Sequence, residues 1–468
     1  MSKPDTHKTQ TLIVGGGLSG LSYAYYLKKK DPKHEVTLLE KNSRLGGLIY
    51  TDTVETPLGP CTVEYGPDSF LPKTPHILDL IDDLGLNDQL INIDPSYQRS
   101  YILHKGKLQA TPLGFYLIAP KNITAFLKSP LLSWSGKLRV LAEVFISKGK
   151  DKDPSLEDFV VRRFGKELFE VIAQGMVSGI YTSDPKKLSL KATLPVFIEL
   201  EQTYGSVILG LLKNSFTSKS SGPRYNLFYS LQNGMSQLIH ALEKSLLEQG
   251  VTIQKNCLIR KVTKDDLGYI VLDQNNTAYS TNILVLANTL QSSSQLLANC
   301  SPQLSDALQS IRTASSAIAI LIYKKSDIEN LPKAAGFIIP EIEQRKILAC
   351  SFLNHKFPQR SSNDTIICRV FMGGMNNESI LNHSDQELLH IAHEELSDIL
   401  DIKQTALFQT LQRWPRAMPQ YEIGHAEKNT SIDKLNKSHP NIVLLGNHRD
   451  GVGLSDVIKQ HFNHALRL

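Results

Sequence analysis

Two rhythms of apolar and polar residues run along this 468-residue chain, and the places where they change mark its elements. Leu12-Ile13-Val14 is a short apolar run that reads as a buried strand. It enters Gly15-Gly16-Gly17-Leu18-Ser19-Gly20, then a helical pattern, then Glu35-Val-Thr-Leu-Leu-Glu40 as a second strand closed by an acid. From about 91 to 222 the spacing is helical, broken at Pro112, Pro120, Pro130 and Pro154. The polar stretch Asn214 to Pro223 reads as a linker. Helical spacing returns from Gly234 to Leu247, followed by short strands at 251–254, 258–262 and 269–272 and a buried one at 282–287. Strands at 317–323 and 365–371 accompany one helix, and the C-terminal segment repeats strand (441–446), turn and helix (from Gly451). The pattern predicts an α/β fold. A Rossmann-like domain is assembled from 1–90, 223–299 and 406–468, with a helical domain at 91–222 and a mixed α+β domain at 300–405.

The glycines carry the first chemistry. Gly15 permits a tight turn, Gly17 lets a pyrophosphate approach the backbone, and Gly20 lets helix and strand pack closely. The helix start then offers unpaired N–H groups and a positive dipole end to phosphate. Glu40 lies where a carboxylate accepts hydrogen bonds from a ribose diol, so the segment reads as a dinucleotide site. A second glycine pair, Arg44-Leu45-Gly46-Gly47, and the turn Glu64-Tyr65-Gly66-Pro67 follow closely. A nicotinamide site needs neither.

Composition changes the picture little. Hydrophobic residues make up 41% and charged residues 21%, as in ordinary globular proteins. The five cysteines are scattered without a CxxC pair, which argues against a disulfide framework or a cysteine zinc site. His390 and His393 share a helical pattern that reads as a solvated face, and no metal is expected. Met1 to Gln10 is polar, without the apolar core of a signal peptide, and the first arginine is Arg44; a cytoplasmic location is expected. The net charge of +5 is too small to suggest nucleic acid. Between Leu113 and Lys150 stand six basic residues (Lys121, Lys128, Lys137, Arg139, Lys148, Lys150) and one acid, Glu143. Interleaved with large apolar residues, they suit a peripheral membrane contact on the inner face of the cell membrane, or else a core helix with a solvated basic face.

The GG doublet after Glu40 resembles that of the flavin amine oxidase superfamily. Several longer stretches are similar to the oxygen-dependent, FAD-type protoporphyrinogen oxidases. These are Phe159 to Glu170, Val177-Ser-Gly-Ile-Tyr-Thr-Ser-Asp-Pro-Lys-Lys-Leu-Ser-Leu-Lys-Ala192, Leu200 to Ser206, Phe371-Met-Gly-Gly374, Glu64 to Phe70 and Trp414-Pro-Arg-Ala-Met-Pro-Gln-Tyr421. The resemblance implies FAD held without a covalent bond, a tetrapyrrole substrate, O2 as electron acceptor, and a place in haem and porphyrin biosynthesis. It leaves a homodimer open. The implied FAD contacts are Gly15, Gly16, Gly17, Leu18, Ser19, Gly20, Glu40, Lys41, Arg44, Gly47, Leu48, Glu64, Tyr65, Gly66, Pro67, Val262, Trp414, Asn447, Val452, Gly453 and Leu454. The implied substrate contacts are Gly179, Ile338, Phe371 and Arg99, with no catalytic acid or base. Three departures stand out: Ser351 replaces a leucine, Ser183 replaces the glycine of YAGDP, and Arg99 precedes by one residue the propionate arginine position, now Ser100. In a strand that step turns Arg99 to the opposite face. The alternatives are coproporphyrinogen III oxidation, an amine oxidase or desaturase, and a flavin-free binding protein similar to GDP-dissociation inhibitors.

Overall fold

The computed structural model describes residues 6–217, 228–266, 268–449 and 451–466. The Leu12–Val14 run lies in a strand, Thr6–Val14, at the centre of a parallel sheet. Val36–Leu39 and Thr252–Gln254 lie to one side, Ala278–Leu286 and Ile442–Leu444 to the other, and all five strands are parallel. Parallel strands require crossovers, and the helix Leu18–Lys30 supplies the first. Ile259–Lys264 and Tyr269–Asp273 add an antiparallel meander beside the first half of Ala278–Leu286.

A second sheet runs in the order Phe408–Pro419, Thr313–Lys324, Thr365–Gly373, Ala349–Phe352, Gly336–Ile338, Ser100–His104, Lys107–Ala110. Every pairing is antiparallel except Gly336–Ile338 with Ser100–His104. The stretch read as helical from residue 91 therefore begins with strands of this sheet, and its last-numbered strand lies beyond residue 405. One face is covered by the helix Asp385–Leu400, whose Leu388, Ala392 and Leu396 share a core with Ala317, Leu321 and Val370. The opposite face packs Ile318, Ile320 and Ile322 against Val63 and Tyr65 of the nucleotide domain. His393 on that helix is hydrogen-bonded to the Tyr323 hydroxyl (2.9 Å), while His390 stays in solvent, so the expected solvated pair is split.

From Ile123 to Thr217 the chain is helical around Phe159, Phe164, Ile172, Val177 and Phe197. Lys166–Leu168 passes through a π turn, Phe169–Ala173, into the helix Gln174–Tyr181. The start of the expected linker continues the helix Val207–Thr217, and residues 218–223 lie outside the described residues. Glu143, the single acid of the basic stretch, is fully buried. It accepts from Arg163, from Ser206 Oγ and from the backbone N–H of Val207 (2.9 Å) and Ile208 (3.4 Å), capping that last helix. Lys137 donates to Leu127 O (2.9 Å) and Arg139 to Arg163 O (2.9 Å), so the surface here is less basic than its composition implies. No helix among the described residues is long and apolar enough to cross a membrane.

Candidate functional site

Gly15 has φ +117°, and a Cβ there would stand 2.5 Å from Ala287 O. A Cβ on Gly20 would overlap the carbonyl oxygen of Gly15, so helix and turn touch through bare backbone. Gly17 is the N-cap of Leu18–Lys30, in extended conformation, and no side chain caps the first turn. Leu18 is buried and Ser19 half-buried behind it. Gly17 faces the second glycine pair: Gly46 N–H donates to Gly16 O (2.8 Å), and a Cβ on Gly47 would stand 3.2 Å from Gly17 Cα. Two loops without side chains thus make a cradle beside an uncapped helix end, which fits a diphosphate.

Glu40 is buried and accepts from Gly16 N–H (2.8 Å), Asn42 N–H (2.8 Å) and Asn42 Nδ2 (2.7 Å). These three bonds fix the carboxylate, which can accept more. Lys41 is exposed. Arg44 donates to the carbonyls of Leu45 (3.2 Å), Ile49 (3.2 Å) and Gly47 (2.9 Å) and stacks on Tyr50. It braces its own loop instead of reaching out of it.

The turn 64–67 is suspended from both sides. A Cβ on Gly66 would overlap Leu48 O, so these backbones touch directly. From the second sheet, Arg369 Nε donates to Glu64 O (2.8 Å), Trp414 Nε1 to Tyr65 O (2.7 Å) and Arg369 Nη2 to Gly66 O. Pro67 is half-buried. The Glu64 side chain points inward, to Thr51 Oγ1 (2.6 Å), Met235 N–H (2.9 Å) and Arg360 (3.4 Å). Burial pushes its carboxyl up to about 7 against the pull of Arg360. Asp68 pairs with Lys356 (2.6 Å) and Arg369 (2.6 Å). Burial alone would raise the Asp68 carboxyl, but those two cations hold it well below the usual carboxylate range. Asp68, Lys356 and Arg369 were not among the residues expected from the sequence. The signal that could have found Arg369 is a lone charge in an otherwise apolar strand, Thr365-Ile-Ile-Cys-Arg-Val-Phe371.

At the far end Gly453, also without a side-chain cap, starts the helix Leu454–Ala465 and offers a second bare helix end. Val452 packs partly against the helical core. Asn447 Nδ2 donates to Ala417 O (3.2 Å), tying this loop to the strand that carries Trp414. Val262 is fully buried in the core around Leu12 and Leu39.

The substrate residues separate. Ile338 pairs with Ala349, Ala349 with Phe371, Phe371 with Ile318, and Ile318 with Gln412, so their side chains form one row on one face. That face also carries Trp414 and Arg369, the two residues that hold the turn 64–67. Across from it runs Gln174–Tyr181. A Cβ on Gly175 would stand 3.0 Å from Ile338 Cγ2, whereas one on Gly179, a turn later, meets nothing within 4 Å. Arg99 does not join this group: it is exposed, its guanidinium donates to Thr111 O (3.1 Å), and the strand turns Ser100 to the row's side. Ser183 is buried and donates to Tyr181 O (3.0 Å), back into its own turn. Ser351 stands between Gly336 and Arg369, with its buried hydroxyl unpartnered among the described residues.

Comparison with known proteins joins these features. The model of the flavin-containing amine oxidoreductases matches residues 18–458. The chain belongs to that family. As a flavin-containing amine oxidoreductase it is an FAD-dependent enzyme, and its two-sheet architecture is that of the family. It is 29% identical to the coproporphyrinogen III oxidase of Bacillus subtilis (97% of this chain, 96% of that one). It is 30% identical to the enzyme of the same name from Staphylococcus aureus (96% of each). A crystal structure from Exiguobacterium, assigned as a protoporphyrinogen oxidase, superposes with a TM-score of 0.85 at 26% identity, covering 99% of both chains.

Proposed function

We propose that this flavoprotein oxidises a porphyrinogen to the porphyrin, removing six hydrogens in three two-electron steps, with three O2 reduced to H2O2. FAD, when bound, would supply the two-electron acceptor. The helix ends at Gly17 and Gly453 would hold its polar groups, Glu40 its ribose, and the turn 64–67 its ring system. Cys368, the last cysteine, is buried in the core under Asp385–Leu400, on the far side of the second sheet, which supports non-covalent attachment.

The protein's part is placement. The observation that carries the reading is the row Ile338, Ala349, Phe371, Ile318 on the face that also holds the turn 64–67. A flat apolar macrocycle laid on that row would meet the flavin, and the open space at Gly179 would admit its rim. Among the residues of this row there is no cation, which favours protoporphyrinogen IX and its two carboxylates. A second reading, coproporphyrinogen III with four carboxylates, is favoured by the likeness to the two bacterial enzymes of that name. Anaerobic mixing with each porphyrinogen is expected to bleach the bound flavin. In air, kcat/KM for protoporphyrinogen should exceed that for coproporphyrinogen by about tenfold or more. A reversed ratio assigns the second reading, and a flavin that stays oxidised with both refutes the activity.

The helical domain supports a peripheral membrane contact. Trp134 (69% exposed) and Leu138 (64%) lie one turn apart on one helix face, and Phe145 (87%) follows. Replacing all three with serine is expected to weaken binding to anionic lipid vesicles by about tenfold or more, read by co-sedimentation. Equal sedimentation of both proteins would discard the contact.

A further inference from the structure

Between the nucleotide domain and the second sheet lies a closed cluster of five charges: Glu64 and Asp68 against Lys356, Arg360 and Arg369, all buried. Most of it looks inward. Lys356 donates to both oxygens of Asp68 (2.7 and 2.6 Å), and Arg360 donates to Ser230 Oγ (3.2 Å) and Leu231 O (2.9 Å). Arg369 differs. Two of its nitrogens are given to the backbone of the turn 64–67 and a third to Asp68. Its guanidinium also lies 5.3 Å from the centre of the Phe371 ring, two residues along the same strand and on the same face. One planar cation therefore touches the turn proposed to hold the flavin ring and the ring proposed to carry the substrate. Arginine suits this place because its donors diverge in one rigid plane, so fixing one bond fixes the others. Asp68 and Lys356 set the plane from behind.

We propose that Arg369 is a positioning residue that registers the turn 64–67 against the Phe371 face, so that flavin binding and substrate placement depend on one side chain. The flavin half stands on family membership; the substrate half rests on the porphyrinogen reading. Lysine at this position keeps the charge but cannot reach both Glu64 O and Gly66 O while holding Asp68.

The chain has two tryptophans, Trp134 and Trp414. In a Trp134→Phe background Trp414, bonded to Tyr65 O, reports on the turn directly. Arg369→Lys is expected to weaken FAD binding by about tenfold, measured by titration of the apoprotein without substrate. It should also shift Trp414 emission to the red and lower kcat more than it raises KM. Arg360→Lys removes an equally buried arginine of the same cluster that reaches the turn only through the Glu64 side chain and touches none of its backbone carbonyls. It is expected to lose comparable stability while holding FAD affinity and Trp414 emission near those of the parent. Asp68→Asn, which frees Arg369 without deleting it, should weaken FAD binding by about threefold and serves if Arg369→Lys does not fold. If Arg360→Lys loses FAD as strongly as Arg369→Lys, or if neither Arg369→Lys nor Asp68→Asn changes FAD affinity, the inference is overturned. These titrations involve no porphyrinogen, so their outcome is independent of the turnover test above.

Discussion

A single methyl group added at Gly20 is expected to cost the protein most of its FAD affinity. The Cβ would overlap the carbonyl oxygen of Gly15 and stand 3.2 Å from Ile13 Cγ2. The first obstacle is backbone, held where Gly15 N–H donates to Leu39 O (2.8 Å), so no side chain can swing aside to make room. Relief requires the helix Leu18–Lys30 to lift from the sheet, which moves its bare N-terminus off the diphosphate position. Affinity should fall on the order of a hundredfold, equivalent to about 2.7 kcal/mol, and Gly20→Ala should purify colourless. Gly17→Ala separates the causes. Its Cβ would lie 3.7 Å from Gly47 Cα, an ordinary contact, so the fold should stand while the methyl occupies the cradle. The pair is read by visible flavin absorbance and by thermal unfolding of the apoproteins. Native FAD affinity in Gly20→Ala would refute the cradle.

The second large effect is on stability. Removing Glu143 leaves Arg163, fully buried, facing an empty place, and uncaps the helix Val207–Thr217. Breaking a buried pair from one side costs about 3–5 kcal/mol, because the remaining charge stays out of water. Glu201, 3.3 Å from Arg163 and bonded to Arg162, softens the loss without replacing the cap. Glu143→Ala is therefore expected to unfold at markedly lower denaturant, with Glu143→Gln between it and the parent because the amide still accepts from the backbone. An unfolding free energy unchanged within about 1 kcal/mol would show that Glu201 takes over the pair entirely.

What could be read from the chain was what local pattern controls. Gly15 to Gly20, Glu40 and the buried strands at 12–14 and 282–287 have their short-range neighbours written beside them, and the parallel sheet follows. Arg99 was legible by parity alone: alternation turns it away from Ser100, and it lies exposed with its guanidinium on Thr111 O. Non-local pairing was hidden. Nothing near Ser100–His104 announces Gly336–Ile338 as its partner, so a sheet strand was absorbed into a helical reading. Val262 and Glu64 were legible as positions but not as orientations. Position in a motif does not tell whether a side chain or only its backbone faces the ligand, and both side chains point into cores. Arg369 stood in plain view as a charge inside an apolar run, but its partners come from three distant segments.

The π turn at Phe169–Ala173 has a consequence for how such enzymes diverge. A π turn amounts to one residue inserted into an α-helix, and one residue rotates everything after it by roughly 100°. Gly175 owes its place against Ile338 to that phase. A one-codon deletion there would swing Gly175 aside and present a bulkier neighbour to Ile338, crowding the row from above while every amino acid around it remains the same.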